Sequence, residues 1–407
     1  MSLFAALRLP GEILFGKGQR RALGTIAART GKRALVCTDK RFASTPVFAE
    51  MMEDLRAAGV TVSIHDDTQP DVPSETVGVC ADAARGFAPD MVIGIGGGSC
   101  LDMAKCAALL LTHGGQLSDY YGEYKVPGPC LPVIAVPTTA GTGSEVTPVA
   151  VIGDANRTLK VGISSPYLIA RAAICDPDLT ITCPQSLTAI AGADALVHAI
   201  EAFTAVRREG TAELPQKHVF VGKSALTDHW ALLAIRLLGR SLETAVKDGS
   251  NEAARADVMM AAMAAGCAFG TAGTAAAHAI QYPIGALTHT AHGLGVATML
   301  PYVMTYNRVV CVPDMAEIGT ALGVGVGADA EDRAQAAIDE VARIFAAIGI
   351  PVTLEALGLA EDRLDWTAEQ ALGIDRLIKN NPRPFDLPGM KRLVRAAYDG
   401  DLASAAM

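Results

Sequence analysis

The sequence contains no CxxC pair, few aromatic residues and few charged residues for its length. Its 407 residues include nine cysteines, 5% aromatic residues and 19% charged residues. An odd number of cysteines scattered through apolar segments argues against a disulfide framework and against a thiolate metal site. We therefore expect reduced, buried thiols and a cytoplasmic protein. The net charge of −9 argues against a nucleic-acid-binding surface.

A secretory leader and a membrane anchor are not expected. The N-terminal apolar stretch is too short for a signal peptide and lacks a small-residue cleavage pattern. The segment 258–307 contains no Asp, Glu, Lys or Arg and is long enough to span a bilayer. It is rich in Ala and Gly, contains several His and Thr residues, and has no basic flanks. These features favour helices buried inside a large soluble domain.

The pattern of apolar residues changes near the middle of the chain. Up to about Asp176, β-rich runs such as RALVCTD and MVIGIGG alternate with helical segments, which is typical of a parallel sheet flanked by helices. After Pro184 the segments are helical and rich in Ala and Leu. We predict an α/β dinucleotide-binding domain over residues 1–180, an all-helical domain over residues 181–407, and a cleft between them.

Two polar loops follow consecutive predicted strands. The first places Gly96, Gly97, Gly98 and Ser99 between a strand and a helix, where backbone N–H groups can bind a pyrophosphate. The second, PTTAGTGSEVT, presents hydroxyl groups beside glycines over residues 137–147. Either loop alone could be an ordinary turn. Two of them at the carboxyl ends of neighbouring strands favour a nucleotide site.

Four residues of the helical half have the chemistry of a divalent metal site. Asp194 and His198 lie four residues apart in GADALVHAIEAF, so one helix face carries both. His278 and His292 belong to the uncharged segment HAIQYPIGALTHTAHG. One carboxylate and three imidazoles suit Fe(II) or Zn(II). Taken singly, Asp194 could cap a helix and each histidine could be a core residue with a polar partner.

The chain resembles the iron-dependent (group III) alcohol dehydrogenases over nearly its whole length. The resemblance is carried by FGKG, GGGSCLDMAK, PTTAGTGSEVT, DPDLTITCP, GADALVHAIEAF, the segment 278–292 and NPRP. It implies an architecture shared with the dehydroquinate synthases, in which NAD, or alternatively NADP, meets a metal, Fe(II) or else Zn(II). It also implies a homodimer and a small alcohol or aldehyde substrate.

The resemblance also implies roles for individual residues. Asp194, His198, His278 and His292 correspond to the metal ligands, and Asp102 and Tyr282 are the candidates for catalytic roles. The implied cofactor-binding residues are Asp39, Gly96, Gly97, Gly98, Ser99, Asp102, Lys105, Thr138, Thr139, Thr142 and Lys160. Within this set, Asp102 and Lys105 either lie close to the cofactor or support its loop. Asp39 either binds the adenosine ribose or caps the next helix.

Tyr282 departs from the commonest family pattern, in which a histidine stands four residues after the third ligand. A Tyr in this YPI context resembles the hydroxyacid–oxoacid transhydrogenase branch, which interconverts 4-hydroxybutyrate and its semialdehyde. The leading hypothesis is a metal-dependent, NAD(P)-linked alcohol dehydrogenase or aldehyde reductase. The alternative is a hydroxyacid–oxoacid transhydrogenase or 4-hydroxybutyrate dehydrogenase. A metal-dependent lyase and a non-catalytic scaffold are disfavoured, because the four-residue Asp/His set matches the dehydrogenases.

Overall fold

Six short strands of the first half form one parallel sheet in the computed structural model, which describes residues 4–406. Their order across the sheet is β1-β9-β6-β4-β2-β3, and every neighbouring pair is parallel. A second, three-stranded sheet has the order β5-β8-β7. The strands are β1 Glu12–Phe15, β2 Arg33–Cys37, β3 Thr61–His65, β4 Met91–Gly96, β5 Gly122–Glu123, β6 Val133–Pro137, β7 Val149–Ile152, β8 Val161–Ser164 and β9 Ala172–Cys175.

Fifteen α-helices are present among the described residues, five in the α/β half and ten after it. They are α1 Leu23–Thr30, α2 Lys40–Ala43, α3 Pro46–Ala57, α4 Ser74–Arg85, α5 Gly98–His113, α6 Gln185–Thr204, α7 Leu214–Lys217, α8 Ala225–Lys247, α9 Glu252–Ala272, α10 Ala276–Thr288, α11 His292–Leu322, α12 Ala330–Ala347, α13 Leu364–Leu372, α14 Asp375–Ile378 and α15 Leu387–Asp399. Strand β4 and helix α5 are buried along most of their lengths, so both lie in the centre of the α/β half.

The chain forms two compact units. The sheet unit comprises residues 8–183 and 212–219, and the helical unit comprises the described residues of 1–7, 184–211 and 220–407. The first unit contains both sheets, whereas the second contains no strand among its described residues. The predicted fold class is therefore confirmed.

The uncharged segment 258–307 does not form one continuous helix. It is divided among α9, α10 and the first half of α11, and α9 and α10 meet at a bend of 101°. Helix α6 is also long and apolar enough to cross a membrane, but 83% of its most apolar window is buried inside the structure. Such burial is typical of helices in a protein core. The expectation of buried helices in segment 258–307 is borne out, since most of its residues are buried.

All nine cysteines are free thiols, and eight of them are buried. Only Cys130 is partly exposed. Burial raises the pKa of the Cys130 thiol to about 11 and that of Cys100 to about 12, which keeps both groups in the neutral form near pH 7. The predicted free thiols are therefore present, and the predicted burial is confirmed for eight of the nine.

Candidate active site

The two predicted nucleotide loops lie side by side at the carboxyl ends of adjacent strands. Strands β4 and β6 are paired in register through Gly96 and Pro137. The amide of Thr138 donates a hydrogen bond of 2.9 Å to the carbonyl of Gly96. Both loops therefore leave the sheet at the same point, where open α/β sheets bind their ligands.

The glycines of the first loop allow the second loop to approach closely. A Cβ atom on Gly98 would lie 2.6 Å from Cγ2 of Thr142, and one on Gly97 would lie 3.4 Å from Oγ1 of Thr139. Helix α5 begins at Gly98, so the N–H groups of Gly98 and Ser99 have no partners within the helix. The hydroxyl of Thr138 is buried and has no hydrogen-bond partner among residues 4–406. The surface formed by the two loops thus offers donors to a phosphate-bearing ligand.

Lys105 stabilises the second loop through hydrogen bonds to backbone carbonyls. Its side chain is fully buried, and its Nζ donates to the carbonyls of Ser144, Thr147 and Val149 at 2.6–3.0 Å. Asp102, one turn earlier on α5, accepts a hydrogen bond of 2.6 Å from the Ser144 hydroxyl. Of the two alternatives predicted for Lys105, these contacts favour support of the loop.

The buried Lys105 and the largely buried Asp102 also form an ion pair. The two charged groups are 4.0 Å apart. Burial raises the pKa of Asp102 and lowers the pKa of Lys105, while their mutual attraction opposes both shifts. The second carboxylate oxygen of Asp102 accepts a hydrogen bond from the amide of Val151 at 2.9 Å, so both oxygens have partners.

Asp39 and Lys160, the two candidates for ribose contacts, both have protein partners. The Oδ1 atom of Asp39 accepts a hydrogen bond from the amide of Phe42 at 2.9 Å and caps helix α2. Its Oδ2 atom accepts a weak hydrogen bond from the thiol of Cys100 at 3.8 Å, next to the glycine loop. The ammonium group of Lys160 forms an ion pair of 2.5 Å with Asp71. The capping alternative for Asp39 is therefore present in the structure, and ribose binding by either residue stays a prediction.

A buried carboxyl group in the second loop predicts a pH-dependent stability. Burial raises the pKa of Glu145 from 4.5 to about 7, against a smaller opposing effect of Lys105. The folded protein therefore retains a proton that the unfolded chain releases, and stability falls as pH rises from about 4.5 through about 7. For each pH we compare the free energy of unfolding of Glu145→Gln with that of the wild type. We expect the variant's advantage over the wild type to be larger at pH 8 than at pH 5. Urea denaturation at both pH values measures this difference, and an equal difference at both would contradict the prediction.

The four predicted metal ligands come together in the helical unit. Asp194 and His198 lie on α6, His278 lies on α10, and His292 is the first residue of α11. The Nε2 atoms of His198, His278 and His292 lie 3.7, 3.8 and 3.9 Å from the same Oδ1 atom of Asp194. From the sequence, only Asp194 and His198 were predicted to be neighbours, because they are four residues apart on one helix. The fold supplies the convergence of the three helices.

The spacing of three of these four ligand atoms fits a metal ion. Ligands bound at about 2.0–2.2 Å to one ion lie roughly 3–4 Å from each other. The ligand atoms of Asp194, His278 and His292 all lie within 4.8 Å of one another. The Nε2 of His278 is buried and has no hydrogen-bond partner within the described part of the chain. Because a buried polar group without a partner is costly, this nitrogen is suited to bind a metal ion.

Two residues that we did not predict hold the histidine rings in position. Glu201 on α6 accepts a hydrogen bond of 2.6 Å from Nδ1 of His278, and Gln281 lies 2.8 Å from Nδ1 of His292. The Glu201 carboxylate also accepts hydrogen bonds from the amides of Ala275 and Ala277 at the start of α10. A proton held on Nδ1 leaves the Nε2 lone pair free for a metal.

Both of these residues carried a signal in the sequence. Glu201 lies seven residues after Asp194 and three after His198, which places it on the same helix face. Gln281 lies three residues after His278. Each of them follows one histidine ligand by three residues but contacts the ring of another, so the sequence indicated that they lie near the cluster and not which ring each one holds.

Close packing around this cluster requires glycine. A Cβ atom on Gly293 would lie 2.4 Å from the carbonyl oxygen of Ile190 and 3.0 Å from Cβ of Asp194. A Cβ atom on Gly295 would lie 2.7 Å from Cγ of Gln281. The absence of side chains at these positions lets the start of α11 approach α6, so His292 reaches Asp194.

Tyr282 lies beside the cluster rather than within it. Its ring centroid is 6.1 Å from that of His292, and its hydroxyl accepts a hydrogen bond of 3.3 Å from Arg376. His198 is fixed in a different way, by stacking on Phe269 with ring centroids 4.1 Å apart. The structure therefore places Tyr282 where a small molecule bound at the cluster could contact it.

We expect Glu201→Gln to weaken metal binding and activity by about 10- to 100-fold, because loss of the carboxylate weakens the orientation and basicity of His278. Metal affinity, measured by titration of the metal-free protein, checks this expectation. Glu369→Gln, which changes an exposed carboxylate that pairs with Lys391, is the matched control. Unchanged metal affinity in Glu201→Gln would show that the Glu201 carboxylate has no such role.

Comparison with known proteins identifies the family. Residues 10–177 match the family model described as iron-containing alcohol dehydrogenase, and residues 188–398 match that of the C-terminal part of the Fe-containing alcohol dehydrogenase family. The chain belongs to the iron-containing alcohol dehydrogenase family. It is thus an oxidoreductase of the iron-dependent alcohol dehydrogenase type, which confirms the family predicted from the sequence motifs.

Relatives from several bacteria share nearly the full length of the chain. The long-chain-alcohol dehydrogenase 1 of Geobacillus thermodenitrificans is 38% identical over 91% of this chain and 91% of its own. The NAD-dependent methanol dehydrogenase of Bacillus methanolicus is 32% identical over 96% and 98% of the two chains. A crystal structure of 1,3-propanediol oxidoreductase has a TM-score of 0.90 and 32% identity, covering 97% of this chain and 100% of that one.

Proposed function

We propose that this iron-dependent alcohol dehydrogenase binds its metal through Asp194, His198, His278 and His292 and transfers hydride between NAD(P) and a small alcohol or aldehyde. The observation that carries the proposal is the arrangement of three imidazole Nε2 atoms at 3.7–3.9 Å from one carboxylate oxygen. Fe(II) is the metal that the family description favours, and Zn(II) suits the same ligands.

The residues around the cluster prepare it for a metal. Glu201 accepts a hydrogen bond from Nδ1 of His278, and the amide oxygen of Gln281 does the same for Nδ1 of His292, an arrangement that directs both Nε2 lone pairs to a metal. A metal held there would act as a Lewis acid that polarises a carbonyl group or lowers the pKa of an alcohol. Tyr282, next to His292, is our candidate for a group that contacts the reacting molecule or passes its proton to water.

The loops of the sheet unit bind the cofactor in this proposal. Gly96, Gly97, Gly98 and Ser99 bind the pyrophosphate at the start of α5, and Thr138, Thr139 and Thr142 contact the same ligand. Asp39 and Lys160 contact its ribose groups. For Asp102 and Lys105 we propose a positioning role, because their polar atoms already bind the second loop. NAD is favoured over NADP by the acidic Asp39 and by the NAD dependence of the methanol dehydrogenase relative.

Two further properties are part of the proposal. We propose a cytoplasmic homodimer, supported by the nine free cysteines and by the resemblance to a family whose members tend to dimerise. The proposed partners are small molecules, and neither a nucleic acid nor a membrane is among them. The net charge of −9 supports the first exclusion.

The proposal is tested by an activity assay. Purified protein of known metal content is assayed for NADH- and NADPH-linked reduction of short aldehydes and semialdehydes. We expect turnover that is lost with a chelator and restored by Fe(II) or Zn(II). A parallel assay without added nicotinamide, with 4-hydroxybutyrate and 2-oxoglutarate, tests the transhydrogenase alternative. Full activity in the chelator-treated, metal-free protein would refute the proposed metal-dependent mechanism.

A further inference from the structure

Two cysteines and a histidine of the sheet unit form a cluster that the proposed reaction does not use. Cys37 ends strand β2, and its directly paired neighbour on β3 is His65, so both side chains lie on the same face of the sheet. Cys37 shares a buried apolar cluster with Cys80, which lies on helix α4. The fold therefore brings two thiols and one imidazole together at the carboxyl ends of two neighbouring strands.

The two thiols of this cluster differ in charge near neutral pH. A hydrogen bond from the Cys37 thiol lowers the pKa of Cys80 to about 6, and the His65 ring contributes to this shift, while burial opposes it. The hydrogen bond to Cys80 raises the pKa of Cys37 well above its usual range, and contact with Cys80 also raises the pKa of His65. Near pH 7 Cys80 is therefore largely a thiolate, whereas Cys37 keeps its proton.

The most exposed cysteine of the chain is a different one. Cys130 is the cysteine with a partly exposed side chain, but burial raises its pKa to about 11. Cys80 is only 1% exposed, but the neighbouring His65 is partly exposed, which places the cluster close to the surface. The thiolate is the nucleophilic form of cysteine. A small oxidant should therefore react with Cys80 before it reacts with Cys130.

His65 also has a nitrogen that can donate a proton. Its Nε2 atom is buried and has no hydrogen-bond partner within residues 4–406. A hydroperoxide that reaches Cys80 can receive a proton from this ring when its O–O bond breaks. The cluster thus contains a nucleophile, a proton donor and a second thiol that can react with the oxidised first one.

We propose that Cys80 and Cys37 are a redox-sensitive pair that a hydroperoxide converts into a disulfide, and that this bond weakens cofactor binding. In the first step the Cys80 sulfur bonds to the terminal oxygen of ROOH and the O–O bond breaks. His65 protonates the leaving oxygen, which gives ROH and a sulfenic acid on Cys80. In the second step Cys37 loses its proton, its sulfur bonds to that of Cys80, and the S–O bond breaks with release of water. The thiol pair loses two electrons, and the hydroperoxide gains them.

The effect on the cofactor follows from the position of the pair, and this part of the inference rests on the proposed function. Asp39 follows Cys37 by two residues, and its Oδ2 atom accepts a hydrogen bond of 3.8 Å from Cys100 in the first turn of α5. Two thiols in hydrogen-bond contact must approach to about 2.05 Å between the sulfur atoms when a disulfide forms. This movement displaces the end of β2 relative to α4, so it also displaces Asp39 relative to the glycine loop.

Mass spectrometry of the oxidised protein tests the first part. The Zn(II)-loaded holoenzyme is treated with hydrogen peroxide at pH 7, because Zn(II) has no redox chemistry of its own. The remaining thiols are alkylated, and the protein is digested without reductant. We expect a linked peptide containing Cys37 and Cys80 that dithiothreitol removes. In Cys37→Ser we expect dimedone to trap the sulfenic acid on Cys80. Absence of the link in the oxidised wild type, or faster oxidation of Cys130 than of Cys80, would overturn the proposal.

The role of His65 is tested with a matched pair of variants. In His65→Asn we expect oxidation of Cys80 at pH 7 to be about 3- to 10-fold slower, because the thiolate loses its partner and the leaving oxygen its proton donor. His113→Asn makes the same change at a histidine whose Nε2 lies 3.1 Å from the carbonyl oxygen of Gly128, and it should leave the rate unchanged. Equal rates in the wild type and His65→Asn would show that His65 does not activate Cys80.

Fluorescence titration with NADH tests the second part. We expect the disulfide-linked wild type to bind NADH about 5-fold or more weakly than the reduced protein, and dithiothreitol to restore the affinity. Peroxide should leave the affinity of Cys37→Ser unchanged. Equal affinity of the linked and reduced proteins would overturn the effect on the cofactor. Failure of the reduced protein to bind NADH would overturn the proposed cofactor site and this effect together, whereas the mass spectrum alone decides whether the disulfide forms.

Discussion

Asp194→Asn is expected to lose stoichiometric metal and to lower kcat/KM by about 10³-fold or more. The Oδ1 atom of Asp194 is common to all three short separations in the cluster, so it supplies both the negative charge and the central contact. Removing the charge weakens binding of a divalent ion, and without the ion the Lewis-acid contribution of several kcal/mol is lost. The measurements are elemental analysis of the purified variant and steady-state kinetics with one aldehyde.

A control with the same chemical change separates metal loss from a general effect of Asp→Asn substitution. Asp365→Asn alters a carboxylate that is 73% exposed and pairs with Lys391. We expect this variant to retain its metal and its activity. Retention of one metal per chain and of half the activity by Asp194→Asn would contradict the assignment.

Lys105→Met is expected to destabilise the protein by about 3–5 kcal/mol, since removal of one partner leaves the other charge of a buried pair uncompensated. The methionine has a similar length but leaves the carbonyls of Ser144, Thr147 and Val149 without their donor. The charge of Asp102 also loses its partner at 4.0 Å. Because these contacts position the second loop, NADH binding should weaken as well. Urea denaturation and NADH fluorescence titration measure the two effects.

Lys160→Met is the informative comparison for Lys105. Lys160 is partly exposed and pairs with a more exposed Asp71, so its removal should change the stability by less than about 1 kcal/mol. If Lys160 contacts the cofactor, NADH binding should still weaken. The two variants therefore separate a residue that builds the loop from one that binds the ligand. A wild-type denaturation midpoint for Lys105→Met would rule out the supporting role.

The sequence predicted the metal cluster because its chemistry is concentrated in short segments. Helical spacing alone places Asp194 and His198 on one face. It also places Glu201 on that face, so this residue could have been found by asking which group holds the second nitrogen of His278. The convergence of α6 with α10 and α11 could not be derived from spacing, because it depends on tertiary packing and on the close approach at Gly293.

Residues whose role depends on distant segments were harder to interpret. The motif around the glycine loop indicated Lys105 as a residue near the cofactor, but its four oxygen partners lie 39–44 residues later in the chain. Arg376 lies 94 residues after Tyr282, and nothing in its local sequence links it to the site. The full burial of Lys105 and the contact of Arg376 with Tyr282 become visible only when the fold brings those segments together.

The most direct test of the metal centre is an anomalous diffraction measurement on crystals grown anaerobically with Fe(II). We predict one strong peak at the iron absorption edge, at about 2.0–2.3 Å from Oδ1 of Asp194 and from the Nε2 atoms of His198, His278 and His292. The same peak should be absent from crystals of Asp194→Asn. A fully occupied iron site on other residues, with these four side chains bound only to each other or to water, would contradict the account.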